Sequence, residues 1–135
     1  MFKAVDYSVL NSRQKENFNF HKMAARLADY GFNCMRLSDD WQGADFIAYH
    51  IDGNTFLKVQ LKGRLVIDRK YENKEIHIGF IHNEEMFVYN HDCLIEFIEA
   101  QGLIGADSKK WHEKGFRPWP SPPKWAHNFL EQYKL

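Results

Sequence analysis

Three polar residues lie at the open end of a predicted hairpin, in two short β-prone runs that a tight turn joins. Asp45 begins the first run, and Gln60 and Lys62 lie in the second. Carboxylate and amide oxygens are ligands of hard cations such as Mg²⁺, and the backbone carbonyl of Leu61 offers one more oxygen. An ammonium group can orient an attacking water or stabilise charge that develops on a phosphate. Brought together, these groups suit hydrolysis of a phosphodiester bond.

The turn between the runs decides whether the three side chains meet. Asp52-Gly53-Asn54 is a strong signal for a tight hairpin. If residues 52 and 53 form the loop, Asp45 falls opposite Gln60; if residues 53 and 54 form it, Asp45 falls opposite Lys62. Strand side chains alternate, so either register places all three on one face, with cross-strand Cβ atoms about 5 Å apart. A three-residue loop would separate them.

The elements around the turn follow from apolar spacing and cap residues. A helix is predicted over 11–30, capped by Asn11 or Ser12 and ended by Gly31, and a strand follows over 32–37. Residues 38–43 are predicted to be a loop. Asp39 and Asp40 are expected to cap this loop beside a packed Trp41, with metal binding or base stacking as the alternative.

The hairpin is predicted over 43–67, and its second run alternates cleanly. One side carries Leu57, Val59, Leu61 and Leu65; the other carries Lys58, Gln60, Lys62 and Arg64. Two further strands, 75–81 and 85–90, precede a helix over 92–101. Residues 102–124 read as irregular, and a last helix starts at Ser121-Pro122-Pro123 with a core-packing stripe of Trp125, Phe129 and Tyr133.

Length and composition favour one domain over 1–135, with a core over 11–101 and a C-terminal extension over 102–135. Apolar residues make up 44% of the chain, which excludes a disordered protein. No secretory signal or membrane-length apolar run is present, so we expect a cytoplasmic protein without a membrane partner. The 18 basic and 18 acidic residues give no global field for a polyanion. Phosphate binding would need a local patch, for which the candidates are Lys58, Arg64, Arg69 and Lys70.

The pattern G-A-D45-F-I-A followed by V-Q60-L-K62-G-R, after a leading helix and strand, resembles the PD-(D/E)xK or restriction-endonuclease-like superfamily. The resemblance covers about residues 11–90. It makes Asp45 the first acid, places Gln60 at the (D/E) position and makes Lys62 the lysine. It implies an α/β fold with a mixed sheet of about five strands flanked by helices. It also implies a nuclease that uses Mg²⁺ or Mn²⁺ and cuts DNA or RNA, with DNA the favoured substrate, and analogy with nucleases of this size suggests a homodimer.

Two departures from that pattern open an alternative. Gln60 stands where an acid is usual, which removes a negative charge from the metal site. Many members also carry a helix Glu directed at the metal; the corresponding position is Phe20, and Glu16, one turn earlier, is the substitute, with Gln14 further away. The alternative is a non-catalytic module on the same fold that binds nucleic acid or protein. Binding of a divalent metal through Asp45 would separate the two functions.

Overall fold

The fold is that of a computed structural model, which describes residues 1–105 and 108–135. Its strands, in chain order, are β1 (Phe32–Trp41), β2 (Ala44–His50), β3 (Phe56–Leu61), β4 (Leu65–Asp68), β5 (Ile76–His82), β6 (Glu85–Asn90) and β7 (Phe116–Trp119). Five of them form a mixed sheet in the order β1-β2-β3-β5-β6. In this sheet β3 and β5 run parallel, and the other neighbours run antiparallel. β4 and β7 form a separate antiparallel ribbon.

The helices are α1 (Ser12–Ala28), α2 (His91–Gln101), α3 (Lys109–Lys114) and α4 (Ala126–Glu131), and 3-10 turns cover Tyr7–Val9 and Arg69–Tyr71. α1 begins with a capping box in which the Asn11 side chain accepts from the Gln14 amide and the Gln14 side chain accepts from the Asn11 amide. These bonds satisfy two backbone donors that an isolated helix end leaves free. None of the described helices has the length and apolar character that crossing a membrane requires.

Apolar side chains bury both faces of the sheet. Phe46 and Ile47 are neighbours on β2, yet they belong to different core clusters because strand side chains alternate. Phe46 packs with Met23 and Leu27 of α1. Ile47 belongs to the larger cluster, which the ribbon, α2 and α4 complete. The predicted mixed α/β sheet of five strands flanked by helices is confirmed.

The hairpin register is the first of the two alternatives. Phe46 pairs with Val59, and extension by one residue places Asp45 opposite Gln60. The loop is wider than two residues, because the His50 amide bonds the Thr55 carbonyl at 2.9 Å around residues 51–54. The Asp52 carboxylate accepts from the Asn54 and Thr55 amides at 2.8 Å each, which fixes this loop. Because the loop has an even number of residues, Asp45 and Gln60 lie on the same face of the hairpin, as the predicted site requires.

Two boundary predictions around the hairpin are wrong. Residues 38–41 continue β1 instead of forming a loop, and the chain turns only at Gln42 and Gly43, whose φ angles are 54° and 88°. Both residues adopt the left-handed backbone conformation that a two-residue hairpin turn requires. Glutamine seldom occupies such a position, so the sequence only weakly indicates a turn here. The second run also breaks: β3 ends at Leu61, and Leu65 to Ile67 enter the ribbon, all buried in succession. Apolar residues keep a period of two on both sides of Gly63, so the sequence pattern does not indicate this break.

The C-terminal extension is more regular than predicted. Within 102–124, the structure contains α3 and β7, while residues 106 and 107 lie outside the described part of the chain. The last helix begins at Ala126, later than the predicted start at Ser121. The aromatic stripe packs as predicted, with the rings of Phe129 and Tyr133 4.9 Å apart and Phe129 buried in the larger core.

Candidate functional site

A cleft of about 460 Å³ opens between α1, β1 and the end of the β2–β3 hairpin. Its wall is polar, with contributions from all three elements. It is lined by Arg13, Glu16, Asn19, Phe20, Arg36, Leu37, Ser38, Asp39, Asp40, Asp45, Gln60, Leu61, Lys62 and Gly63. The cleft therefore gathers all five residues predicted for catalysis and metal binding.

Asp45 is held against the backbone of the neighbouring strand. Its carboxylate accepts a 2.8 Å hydrogen bond from the Leu61 amide. Burial raises the pKa of the Asp45 carboxyl; the Leu61 bond partly opposes this, and the charge of Asp40 adds to it. A cation beside the carboxylate would offset the desolvation that disfavours its ionised form.

Gln60 carries a buried acceptor that the protein leaves open. Its Oε1 atom is buried and has no hydrogen-bond partner in residues 1–105 and 108–135. Such an atom costs about 1–3 kcal/mol of stability unless a water or a bound cation satisfies it. Oε1 and the Asp45 carboxylate line the same cleft, and both are oxygen donors of the kind that Mg²⁺ accepts. The residues present fit a hard divalent cation.

The available metal ligands are mixed in charge. Among the described residues, no group of three or more histidine, cysteine or acidic side chains is arranged to hold a metal ion. A cation in this cleft would therefore rely on one carboxylate together with neutral amide and backbone oxygens and its own waters. Mg²⁺ commonly keeps several waters, so this set is compatible with it.

Lys62 supplies the positive group of the cleft. Its Nζ lies 5.3 Å from the centre of the Tyr71 ring, and its backbone amide donates to the Gly79 carbonyl at 2.9 Å. Burial lowers the pKa of Lys62, with the nearby charge of Lys70 acting in the same direction. The Asp68 and Asp45 carboxylates oppose this shift. The Tyr71 ring and the bond to the Gly79 carbonyl thus position Lys62, whose ammonium group is partly desolvated.

Glu16 lies at the rim of the cleft. Its side chain is 64% exposed and 3.7 Å from the Arg13 guanidinium. Gln14, the more remote candidate, is occupied by the helix cap. Phe20 is buried, and the Arg36 guanidinium lies over its ring at 5.1 Å. The position that would carry an acid in the resembled family is therefore part of the cleft floor.

Asp39, Asp40 and Arg36 also line the cleft, and the sequence offered a metal role for the two acids only as an alternative. The preferred prediction of loop caps beside a packed Trp41 is wrong, because residues 39–41 belong to β1 and Trp41 is 51% exposed. Arg36 is held in place by a 2.6 Å bond from its Nη1 to the Asn17 side chain. The sequence signal was the pair of acids just after the predicted strand over 32–37. To place them in the cleft, one had to know that β1 extends to Trp41.

The four residues proposed for a phosphate patch lie outside the cleft wall. The Arg69 guanidinium stacks on Trp111 at 4.6 Å and donates to its carbonyl. Lys70 lies 3.7 Å from the Asp68 carboxylate, and Lys58 lies 5.9 Å from the Trp41 ring centre. Arg64 is exposed directly after the cleft residue Gly63.

No protein-family model matches the sequence, and no curated protein matches it. Among solved structures, the chain is similar to a bacterial homing endonuclease, I-Ssp6803I, at 14% identity and a TM-score of 0.49. The match covers 91% of this chain and 94% of that chain. At this identity and TM-score, the likeness does not decide the family or the function of the chain.

Proposed function

We propose that the chain is a divalent-metal-dependent nuclease of the PD-(D/E)xK type that hydrolyses phosphodiester bonds in DNA. One observation carries the proposal: Asp45, the open Gln60 oxygen and Lys62 share one cleft, with Asp45 bonded to the Leu61 amide at 2.8 Å. An acid, a buried acceptor without a protein partner and a desolvated lysine suit metal-assisted hydrolysis of a phosphodiester bond.

Mg²⁺ or Mn²⁺ would be held by Asp45, the Gln60 oxygen and the Leu61 carbonyl, and when bound it would supply positive charge and an activated water. Lys62 donates hydrogen bonds to the phosphate and stabilises the negative charge that grows during bond cleavage. Arg13 and Arg36 lie on the α1 and β1 walls, where they can contact flanking phosphates. Glu16 contributes a further carboxylate at the rim. Phosphates that lie beyond the cleft would be contacted by Arg64, Lys58, Arg69 and Lys70.

Cleavage of supercoiled plasmid DNA and of single-stranded DNA and RNA in Mg²⁺ or Mn²⁺ tests this function. Asp45→Ala and Lys62→Ala are compared with wild type. Asp29→Ala and Lys22→Ala are matched controls, because Asp29 and Lys22 are exposed residues of the α1 region outside the cleft. We expect activity in wild type and both controls, and its loss in both cleft variants with unchanged folding. A homodimer, in which each copy cuts one strand, would be seen by light scattering.

The other outcomes lead away from a nuclease at this cleft. Equal activity in all proteins would indicate contamination or another active centre. Absence of cleavage, together with folded protein and no Asp45-dependent metal binding in calorimetry, would favour the non-catalytic binding module. Gln60 stands where the resembled family has a second acid, and this departure favours the non-catalytic binding module.

A further inference from the structure

The exposed side of the β1–β2–β3 region carries an aromatic surface with a lysine in it. Met35, Trp41, Tyr49 and Phe56 are each between 45% and 55% exposed, and Lys58 lies among them. We call these five residues the aromatic face. Large apolar side chains that are exposed as a group, and not scattered singly, mark a binding surface.

The strand register places these residues side by side. Tyr49 pairs directly with Phe56, and Ile47, which lies between Met35 and Lys58, pairs with both. The Lys58 ammonium lies 5.9 Å from the centre of the Trp41 ring. The side-chain amide of Asn33 donates a hydrogen bond to the Tyr49 hydroxyl at 2.7 Å, which holds that ring. The Tyr49 ring is therefore held by a side-chain hydrogen bond, and the sheet register places Phe56 directly beside it.

The aromatic face continues from the cleft. Asp45 and Tyr49 share parity on β2, as Gln60 and Phe56 do on β3, so both rings project on the same side of the sheet as the site residues. Gln60 and Phe56 are separated by about 13 Å along the strand. Trp41 directly follows the cleft residue Asp40. The cleft residues Asp45 and Gln60 and the rings of Tyr49 and Phe56 therefore lie on one side of the β2–β3 hairpin, next to each other along the strands.

We propose that the aromatic face binds single-stranded or locally unpaired nucleic acid, with bases stacked on Trp41, Tyr49 and Phe56 and a phosphate on Lys58. This inference rests on the proposed nuclease function and specifies its substrate. Stacking accepts every base, because each base has a π face, and a positive group next to the rings follows the backbone. In duplex DNA the base faces are hidden, so the face predicts a preference for unpaired substrate.

The lysine argues against a second copy of the chain as the occupant. Lys58 is the one charged residue of the aromatic face. A twofold interface that covered this face would bury Lys58 of both copies and desolvate both ammonium groups. The buried cores of protein interfaces are depleted in lysine for this reason. A polyanion carries the charge that complements this lysine.

Fluorescence anisotropy with a labelled oligothymidylate, in EDTA, tests the inference without cleavage. The variants are Trp41→Ala, Phe56→Ala and Lys58→Ala. Tyr30→Ala is the matched control, because Tyr30 is as exposed as Tyr49 but follows α1, on the other side of the sheet. We expect each ring variant to weaken binding about tenfold, and the control to leave it unchanged. A duplex of the same length should bind more weakly than the single strand.

Two results would overturn the inference: equal affinity in Trp41→Ala, Phe56→Ala and Tyr30→Ala, or ring variants that dissociate a dimer without loss of oligonucleotide affinity. Thermal unfolding followed by circular dichroism checks that each variant is folded. The binding test is independent of the nuclease test. Trp41-dependent binding by a protein that cleaves nothing would refute the nuclease alone. Asp45-dependent cleavage with Trp41-independent binding would refute this inference alone.

Discussion

Two polar clusters of the molecule use their hydrogen-bonding capacity in opposite ways. The cleft cluster is Asp45, Gln60 and Lys62. The histidine cluster is Asp68, His91 and Asp92, at the junction between the 3-10 turn after β4 and α2. His91 is fully buried. Its Nε2 accepts from the Asp68 amide at 2.9 Å, so its Nδ1 carries the proton and donates to Asp92 at 3.1 Å.

The two clusters differ in whether their buried polar atoms have partners within the protein. In the histidine cluster, both ring nitrogens are bonded, and Asp92 also accepts from the Asn73 amide at 2.9 Å. In the cleft cluster, the Gln60 oxygen is buried without a partner in the described part of the chain. A satisfied network holds segments together, whereas an unsatisfied one costs stability until a ligand arrives. We therefore expect substitutions in the two clusters to affect different measurements.

The largest expected effect is on catalysis, from Asp45→Asn. Loss of groups that only support a metal ligand costs about 10–100-fold, so loss of the anionic ligand itself should lower the cleavage rate at least about 100-fold. Stability should stay equal or rise, because a partly desolvated charge is removed. Initial cleavage rates in Mg²⁺ and urea unfolding measure the two effects. A variant that unfolds more easily in proportion to its loss of activity would contradict a functional role for this cluster.

In the histidine cluster, His91→Ala should act on stability. It leaves the Asp68 amide buried without an acceptor and opens a cavity, which together should lower the free energy of unfolding by about 2–3 kcal/mol. His91→Gln is the matched variant, since its amide can accept from Asp68 and donate to Asp92. Urea unfolding should show a smaller loss for Gln than for Ala. Equal losses would mean that His91 contributes volume and not hydrogen bonds.

The pH dependence of stability should also reveal the histidine cluster. Burial lowers the pKa of His91, and the bond to Asp92 offsets this only in part. Below about pH 6.5 the unfolded chain gains a proton that folded His91 does not, so stability falls with acidification by up to about 1.4 kcal/mol per pH unit.

His77, whose pKa burial also lowers, contributes in the same direction. The raised pKa of the Asp45 carboxyl acts with the opposite sign, because the folded state then binds the proton more tightly than the unfolded chain. Urea unfolding between pH 7 and 5 should show a steeper decline for wild type than for His91→Gln. Identical slopes would exclude His91 as the group responsible.

The smallest expected effect on stability comes from Gln60→Leu. Replacing an unsatisfied acceptor by an apolar group of similar size removes a desolvation cost, so stability should rise by up to about 1 kcal/mol. Metal affinity in calorimetry should fall at the same time. Gln60→Glu is the companion variant, because a second carboxylate should strengthen metal binding and reduce stability without metal. Loss of stability in Gln60→Leu would show that the protein satisfies Gln60 after all.

Local signals in the sequence determined much of the site. Asp52, Gly53 and Asn54 predicted a tight turn, and the period of two placed Asp45, Gln60 and Lys62 on one face in either two-residue register; the structure selected the register with Asp45 opposite Gln60. The α1 cap and the start of α2 near His91 follow from residues a few positions apart. Such features were predictable because the interacting residues lie close together along the chain, where spacing alone defines the geometry.

Only the tertiary structure decided which residues share the cleft and which strands leave the sheet. The β3–β5 pair is parallel, and β4 pairs with β7 about fifty residues away, so neither partner is visible in a local pattern. Asp39 and Asp40 joined the cleft because β1 extends beyond its apolar residues, and Glu16 stayed at the rim because Arg13 pairs with it. The sequence by itself determined the hairpin and its polar face, since backbone alternation is local. The open acceptor of Gln60 and the satisfied ring of His91 depended on long-range packing.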